Sequence, residues 1–134
     1  MKADLPMPIF LQVALGGAVG ATCRHFVSWI MSRHFGTHFP WGTLTVNVVG
    51  SFLMALATVV MIRRSEASLQ HLAPFFMTGV LGGFTTFSAF SLEVFLMIEQ
   101  GRLLAAMAYV GVSVLFGVLA FAGAMLLLRE TATV

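Results

Sequence analysis

The chain has 134 residues, of which 59% are hydrophobic and 9% charged, with a mean hydropathy of +0.98. A water-soluble domain carries about 25% charged residues, so this composition excludes one and points to an integral membrane protein. The net charge of +2 has no basic run behind it, which argues against a nucleic-acid partner, and the single Cys23 excludes an intramolecular disulfide framework.

Apolar stretches at about 9–31, 39–62, 72–98 and 103–128 each reach or exceed the roughly 20 residues that a spanning helix needs. They predict one all-α domain over residues 1–134, with four transmembrane helices, short linkers that hold most of the charge, and no soluble domain. The first stretch follows a short head, Met1-Lys2-Ala3-Asp4, and lacks a small-residue cleavage signature, so it reads as a retained span rather than a signal peptide. Within it, Gly16-x-x-x-Gly20 is a close-approach motif of the small-xxx-small kind. Arg24 is either an anchor that snorkels or pairs, or a group that draws anions toward a vestibule.

In the second span Thr43, Asn47 and Ser51 recur at i, i+4 and i+8 and so share one helical face, with Gly50 beside them. Such a stripe serves either as hydrogen-bonding glue between helices or as the lining of a polar path. The third span carries a second close-approach motif, Gly79-x-x-x-Gly83, and then the run Gly82-Gly83-Phe84-Thr85-Thr86-Phe87-Ser88-Ala89-Phe90-Ser91. This run predicts a helix broken in mid-membrane. Irregular backbone persists at that depth only where protein, water or an ion satisfies it, because each unpaired group costs several kcal/mol, roughly, which makes the break a candidate site. Just beyond it Phe87 and Phe90 share a face with Val94, and Glu93 is the only carboxylate well inside a span. The fourth span repeats the i, i+4 polar spacing at Tyr109 and Ser113.

With an even number of spans, Lys2, Arg63, Arg64 and Arg129 fall on one side and Arg33 and Arg102 on the other, joined by Arg24 if it reaches that interface from inside the first span. A split of four against three gives the positive-inside rule almost nothing to act on, so insertion in both orientations is expected. Four helices enclose little volume, and a route across the membrane calls for a second copy. The polar groups are neutral donors, which suit an anion that must bind and then leave. Phe87 and Phe90 can offer their positive ring edges to it, whereas carbonyls freed between Gly82 and Thr85 suit a hard cation such as Na⁺. His25, His34, His38 and His71 do not cluster as metal ligands, and no nucleophile–base or nucleotide-binding constellation is present, which argues against an enzyme.

The strings Gly16-Gly17-Ala18-Val19-Gly20-Ala21-Thr22-Cys23-Arg24, Trp41-Gly42-Thr43-Leu44-Thr45-Val46-Asn47-Val48-Val49-Gly50-Ser51, Gly82-Gly83-Phe84-Thr85-Thr86-Phe87-Ser88 and Tyr109-Val110-Gly111-Val112-Ser113 fall one in each span. At these residues the chain resembles the Fluc (CrcB) fluoride channels over essentially its whole length. The resemblance implies a bacterial inner-membrane protein through which cytoplasmic fluoride escapes passively. It further implies an antiparallel dual-topology homodimer with two fluoride pores and one central structural Na⁺. By motif position, Phe87 and Phe90 are the expected pore phenylalanines and Asn47 the donor beside them. Ser88, Thr86, Tyr109 and Ser113 are the expected polar lining, and Glu93 stands near a pore mouth. The backbone carbonyls of Gly82 and Thr85, one pair from each subunit, are the expected Na⁺ ligands. The chain departs from the family at Ala89, where a Thr is usual, and so lacks one hydroxyl of the expected track. The main competing class, small dual-topology proton-coupled efflux transporters, uses an essential carboxylate in the first span, where this chain has Arg24 and no acid. A non-transporting assembly protein would account for the glycine motifs but not for the break or the polar stripes.

Overall fold

The computed structural model describes residues 7–63 and 70–130. Lys2 and Arg64, two of the cations in the topology count, lie outside the described residues. Among those described, every regular element is a helix: α1 (Met7–Phe35), α2 (Trp41–Arg63), α3 (Pro74–Leu81 continued by Gly82–Phe84), α4 (Phe87–Glu99) and α5 (Leu103–Glu130).

Helices α2, the α3–α4 unit (Pro74–Glu99) and α5 (Leu103–Leu128) are long and apolar enough to cross a membrane. At 23 residues, α2 measures about 35 Å at ~1.5 Å per residue, enough for the hydrocarbon core. Helix α1, expected as the first of four spans, has ample length at 29 residues but is not among these three. Gln12, Arg24, His25 and Arg33 dilute its apolar character. Most apolar side chains point outward, and in α5 only 6% of the spanning window is buried, as expected of a surface facing lipid or another copy of the chain.

Two glycine motifs set the closest packing. A Cβ on Gly79 would lie 2.8 Å from the Cα of Gly16, and one on Gly83 would lie 2.7 Å from the carbonyl oxygen of Gly17. The backbones of α1 and α3 therefore touch along the two small-xxx-small stripes, the packing role that the sequence assigns to them. These contacts also correct the expected place of the break. Gly82 and Gly83 stay helical, and the Gly82 N–H donates to the carbonyls of Gly79 and Met77, the latter bond closing the last widened π turn of Pro74–Leu81. The chain leaves helical geometry only at Thr85 (φ −83°, ψ 156°) and Thr86 (φ −152°, ψ 120°). Glycine supplies proximity to α1 here, and the threonines supply the break.

The remaining elements bring α2 against α5 and α1 against α2. Met97, Ala106 and Tyr109 form a buried cluster, with Phe39, Leu44, Phe90 and Val94 packed around it. Helix α4 ends in a Schellman turn around Gly101, whose φ is +72°. The Gly101 N–H donates to Ile98 O (2.9 Å) and the Arg102 N–H to Met97 O (2.9 Å). Gly36, with φ +76°, closes α1 in the same left-handed conformation.

Candidate functional site: a polar track along α2

The break is held open by a side chain from another helix. In a continuing α-helix the Thr86 N–H would bond the Gly82 carbonyl. Instead it donates to Asn47 Oδ1 (2.8 Å), while Asn47 Nδ2 donates to the Thr86 carbonyl (3.1 Å). The primary amide of Asn47 thus pairs with the Thr86 peptide as a second backbone strand would. Since one side-chain atom donates and the other accepts, this pairing also fixes which way the amide points. Thr86, buried at 8% exposure, then caps α4: its Oγ1 accepts from the Ala89 N–H (3.2 Å) and lies 3.4 Å from Ser88 Oγ. The Ala89 N–H would otherwise have returned to Thr85 O. That carbonyl instead receives a long hydrogen bond from the Arg24 guanidinium (3.4 Å). A Cβ on Gly50 would overlap the Thr85 methyl, so α2 must carry glycine there for the break to fit.

One turn along α2, Thr43 Oγ1 donates to Glu93 Oε1 (2.7 Å), and Glu93 Oε2 accepts from the Tyr109 hydroxyl (2.8 Å). Both carboxylate oxygens are thereby engaged by hydroxyl donors. Ser51, one turn in the other direction, returns its hydroxyl to Asn47 O (2.7 Å). The α2 stripe is interhelical glue at Thr43 and Asn47, and it also lines two cavities. The first, about 270 Å³, is bounded by Ser28, Ser32, His38, Thr43, Glu93 and Arg102. The second, about 300 Å³, is bounded by Asn47, Ser51, Thr85, Thr86, Phe87 and Phe121. Thr43 and Asn47 are successive turns of one helix, about 6 Å apart along its axis, so the two cavities share one polar wall.

Aromatic rings run beside this wall. Phe87 and Phe90 have centroids 5.7 Å apart, Phe90 lies 5.1 Å from Tyr109, and Phe39 meets Tyr109 edge-on at 5.3 Å. Phe87 is 79% exposed, whereas Tyr109 is fully buried. Ser113 Oγ is buried and without a hydrogen-bond partner among the described residues. The structure therefore brings Asn47, Thr86 and Phe87 together at the second cavity, with Ser88 near Thr86 but outside its lining, and Phe90, Tyr109 and Glu93 together beside the first. Ser113 stands apart from both cavity linings.

Sequence reasoning missed the Asn47–Thr86 pairing, the bonds to Glu93 and the place of Phe39 in the ring series. The Thr43/Asn47 spacing signalled a shared face, and Thr86 three residues before Ala89 is a legible capping position. Their partners across helices were not readable from spacing.

A family model described as "CrcB-like protein, Camphor Resistance (CrcB)" matches residues 11–125, most of the chain. The chain belongs to the CrcB family. A CrcB relative from Hyphomonas neptunium is 52% identical over 109 residues, covering 81% of this chain and 86% of the relative. One from Cereibacter sphaeroides is 54% identical over 104 residues, 78% of this chain and 81% of its own length. One from Ruegeria sp. is 47% identical over 124 residues, 92% of this chain and 96% of its own. All three bear the name "Fluoride-specific ion channel FluC", which describes a transporter class and not an enzyme.

Proposed function

We propose that this chain is a fluoride-selective channel through which cytoplasmic fluoride leaves passively across the bacterial inner membrane. In this reading each subunit crosses four times, the α3–α4 break lies in mid-membrane, and two oppositely oriented copies enclose two pores. The observation that carries the proposal is the polar wall of α2, which lines two cavities, the second of them bounded also by Phe87 of the Phe87–Phe90 pair. The names of the relatives supply the identity of the ion.

Fluoride holds its water tightly, so a pore must offer replacement donors without a charge that traps the ion. Asn47 keeps one amide N–H beyond the bond to Thr86, and Ser88 and Ser113 carry hydroxyls. Between such donors the ring edges of Phe87 and Phe90 present positive quadrupole density while excluding bulk water. Ala89 contributes only its backbone N–H, to the Thr86 cap, so Ser88 is the hydroxyl of this turn that remains for the track.

The proposed central Na⁺ is supported by the same break. The N–H groups that would reach the Gly82 and Thr85 carbonyls in an unbroken helix are turned aside to Asn47 Oδ1 and Thr86 Oγ1. Backbone carbonyls suit a hard cation, and bound Na⁺ would supply positive charge at the break of both subunits. Arg24, bonded to the Thr85 carbonyl, occupies one of its two lone pairs.

The test is fluoride efflux from liposomes containing the purified protein, measured with a fluoride electrode and repeated with chloride. Fluoride flux that follows voltage without a pH gradient supports a channel. Flux that demands a pH gradient under voltage clamp refutes it. Glu93, a carboxylate facing the first cavity, is the one feature that favours a proton-coupled transporter. Glu93→Gln should abolish coupled transport by such a protein, whereas a channel keeps substantial anion flux.

A further inference from the structure

The first cavity is lined by side chains of opposite charge. Glu93 is held by Thr43 and Tyr109, with a hydroxyl hydrogen directed at each carboxylate oxygen. The other is Arg102, whose position is dictated by the chain. It occupies the third residue beyond α4, where the Schellman turn binds its N–H to Met97 O, and its own carbonyl accepts the Ala106 N–H (3.0 Å) at the start of α5. The backbone is therefore fixed at both its donor and its acceptor, and the side chain, half-buried, lines the cavity. Among the described residues no hydrogen bond or ion pair engages the guanidinium, and neither Glu93 nor Glu99 lies within bonding distance of it.

We propose that this cavity is an anion antechamber in which Arg102 gathers small anions and offsets the Glu93 charge that would otherwise repel them. The assignment rests on the channel reading above. The sign of the occupant follows from the free groups. The Glu93 carboxylate already takes two hydroxyl donors, whereas the Arg102 guanidinium keeps all of its donors free among the described residues, so the unmatched charge of the cavity is positive. An anion finds the guanidinium together with the Gln100 amide and the Thr37 hydroxyl among the residues that line the cavity. A charge at the mouth of a low-dielectric cleft concentrates counter-ions and raises entry rates by about 10- to 1,000-fold. Loss of one such charge in water-filled surroundings should fall at the lower end of that range.

The experiment compares fluoride efflux from liposomes bearing wild type, Arg102→Gln, Arg102→Glu and Arg102→Lys, at fixed fluoride and two ionic strengths. The Debye length is about 30 Å at 0.01 M and about 3 Å at 1 M. At low ionic strength Arg102→Gln should pass fluoride roughly tenfold more slowly than wild type, Arg102→Glu more slowly still, and Arg102→Lys nearly as fast. At high ionic strength the four rates should converge. Equal wild-type and Arg102→Gln rates at low ionic strength overturn the proposal, as does a deficit that persists unchanged in 1 M salt. Should the neutral variant fail to assemble, wild-type efflux that is indifferent to ionic strength overturns it equally. A wild type that carries no fluoride removes the channel reading and this one with it. A conducting wild type with an unaffected Arg102→Gln removes this one alone.

Discussion

Replacing Asn47 with alanine should damage the fold as well as the ion path. The Asn47 amide supplies both partners of the Thr86 peptide, and Thr86 is buried with its backbone away from water. Alanine leaves one N–H and one C=O unpaired. At about 1–3 kcal/mol for each buried group so stranded, the cost is roughly 2–6 kcal/mol. Thr86→Ala, which removes a helix cap but leaves the Asn47 pairing in place, should cost only about 1 kcal/mol. Thermal denaturation in detergent, followed by size-exclusion chromatography, ranks the two. Asn47→Ala must be clearly the less stable, and its fluoride efflux per folded protein should also fall, because a donor of the track is gone. Asn47→Asp retains the acceptor for the Thr86 N–H but sets oxygen against the Thr86 carbonyl, so it should fall between wild type and alanine or below both. An Asn47→Ala protein as stable as Thr86→Ala would refute the idea that this amide holds the break.

Phe87→Ile and Phe90→Ile should each lower fluoride flux far more than stability. Phe87 is mostly exposed and Phe90 loses only its ring contacts with Phe87 and Tyr109, a packing cost of about 1 kcal/mol or a little more, so normal efflux from both variants would exclude the pair from the path. Gly83→Ala should destabilise by about 1–3 kcal/mol because its methyl meets the Gly17 backbone, whereas Gly17→Ala, which faces open space, should be nearly neutral; equal melting temperatures would contradict the close approach of α1 and α3. Two or three lysines added at one terminus should bias insertion to a single orientation and lower activity, with recovery on co-expression of an oppositely biased variant. C-terminal reporters of the native chain all on one side would rule out dual topology.

The membrane class and the helices α2 and α5 were legible because hydropathy over some twenty residues outweighs any local detail. The shared face of Thr43, Asn47 and Ser51 was legible because helical periodicity is a property of one segment. The break was visible as a region and misplaced by a few residues. Gly82 and Gly83 look like helix breakers, yet their missing side chains serve the contact with α1. The departure at Thr85 and Thr86 depends on an amide 39 positions away in the chain. Glu93 was legible as an unusual carboxylate, but its hydroxyl partners on α2 and α5 follow from tertiary packing. Arg24 stood between anchor and anion attractor, and its bond to Thr85 O gives it a structural partner.

Because the break is imposed from outside its own helix, the order of insertion matters. Pro74–Glu99 amounts to 26 residues with the length and hydropathy of one uninterrupted span. Nothing within it can satisfy the Thr86 peptide once helical bonding is abandoned, and in lipid an unsatisfied peptide is too costly to persist. If the break lies at membrane depth, as proposed above, the segment should enter the bilayer as a continuous helix and open at Thr86 only once α2, made earlier in the chain, has brought Asn47 against it.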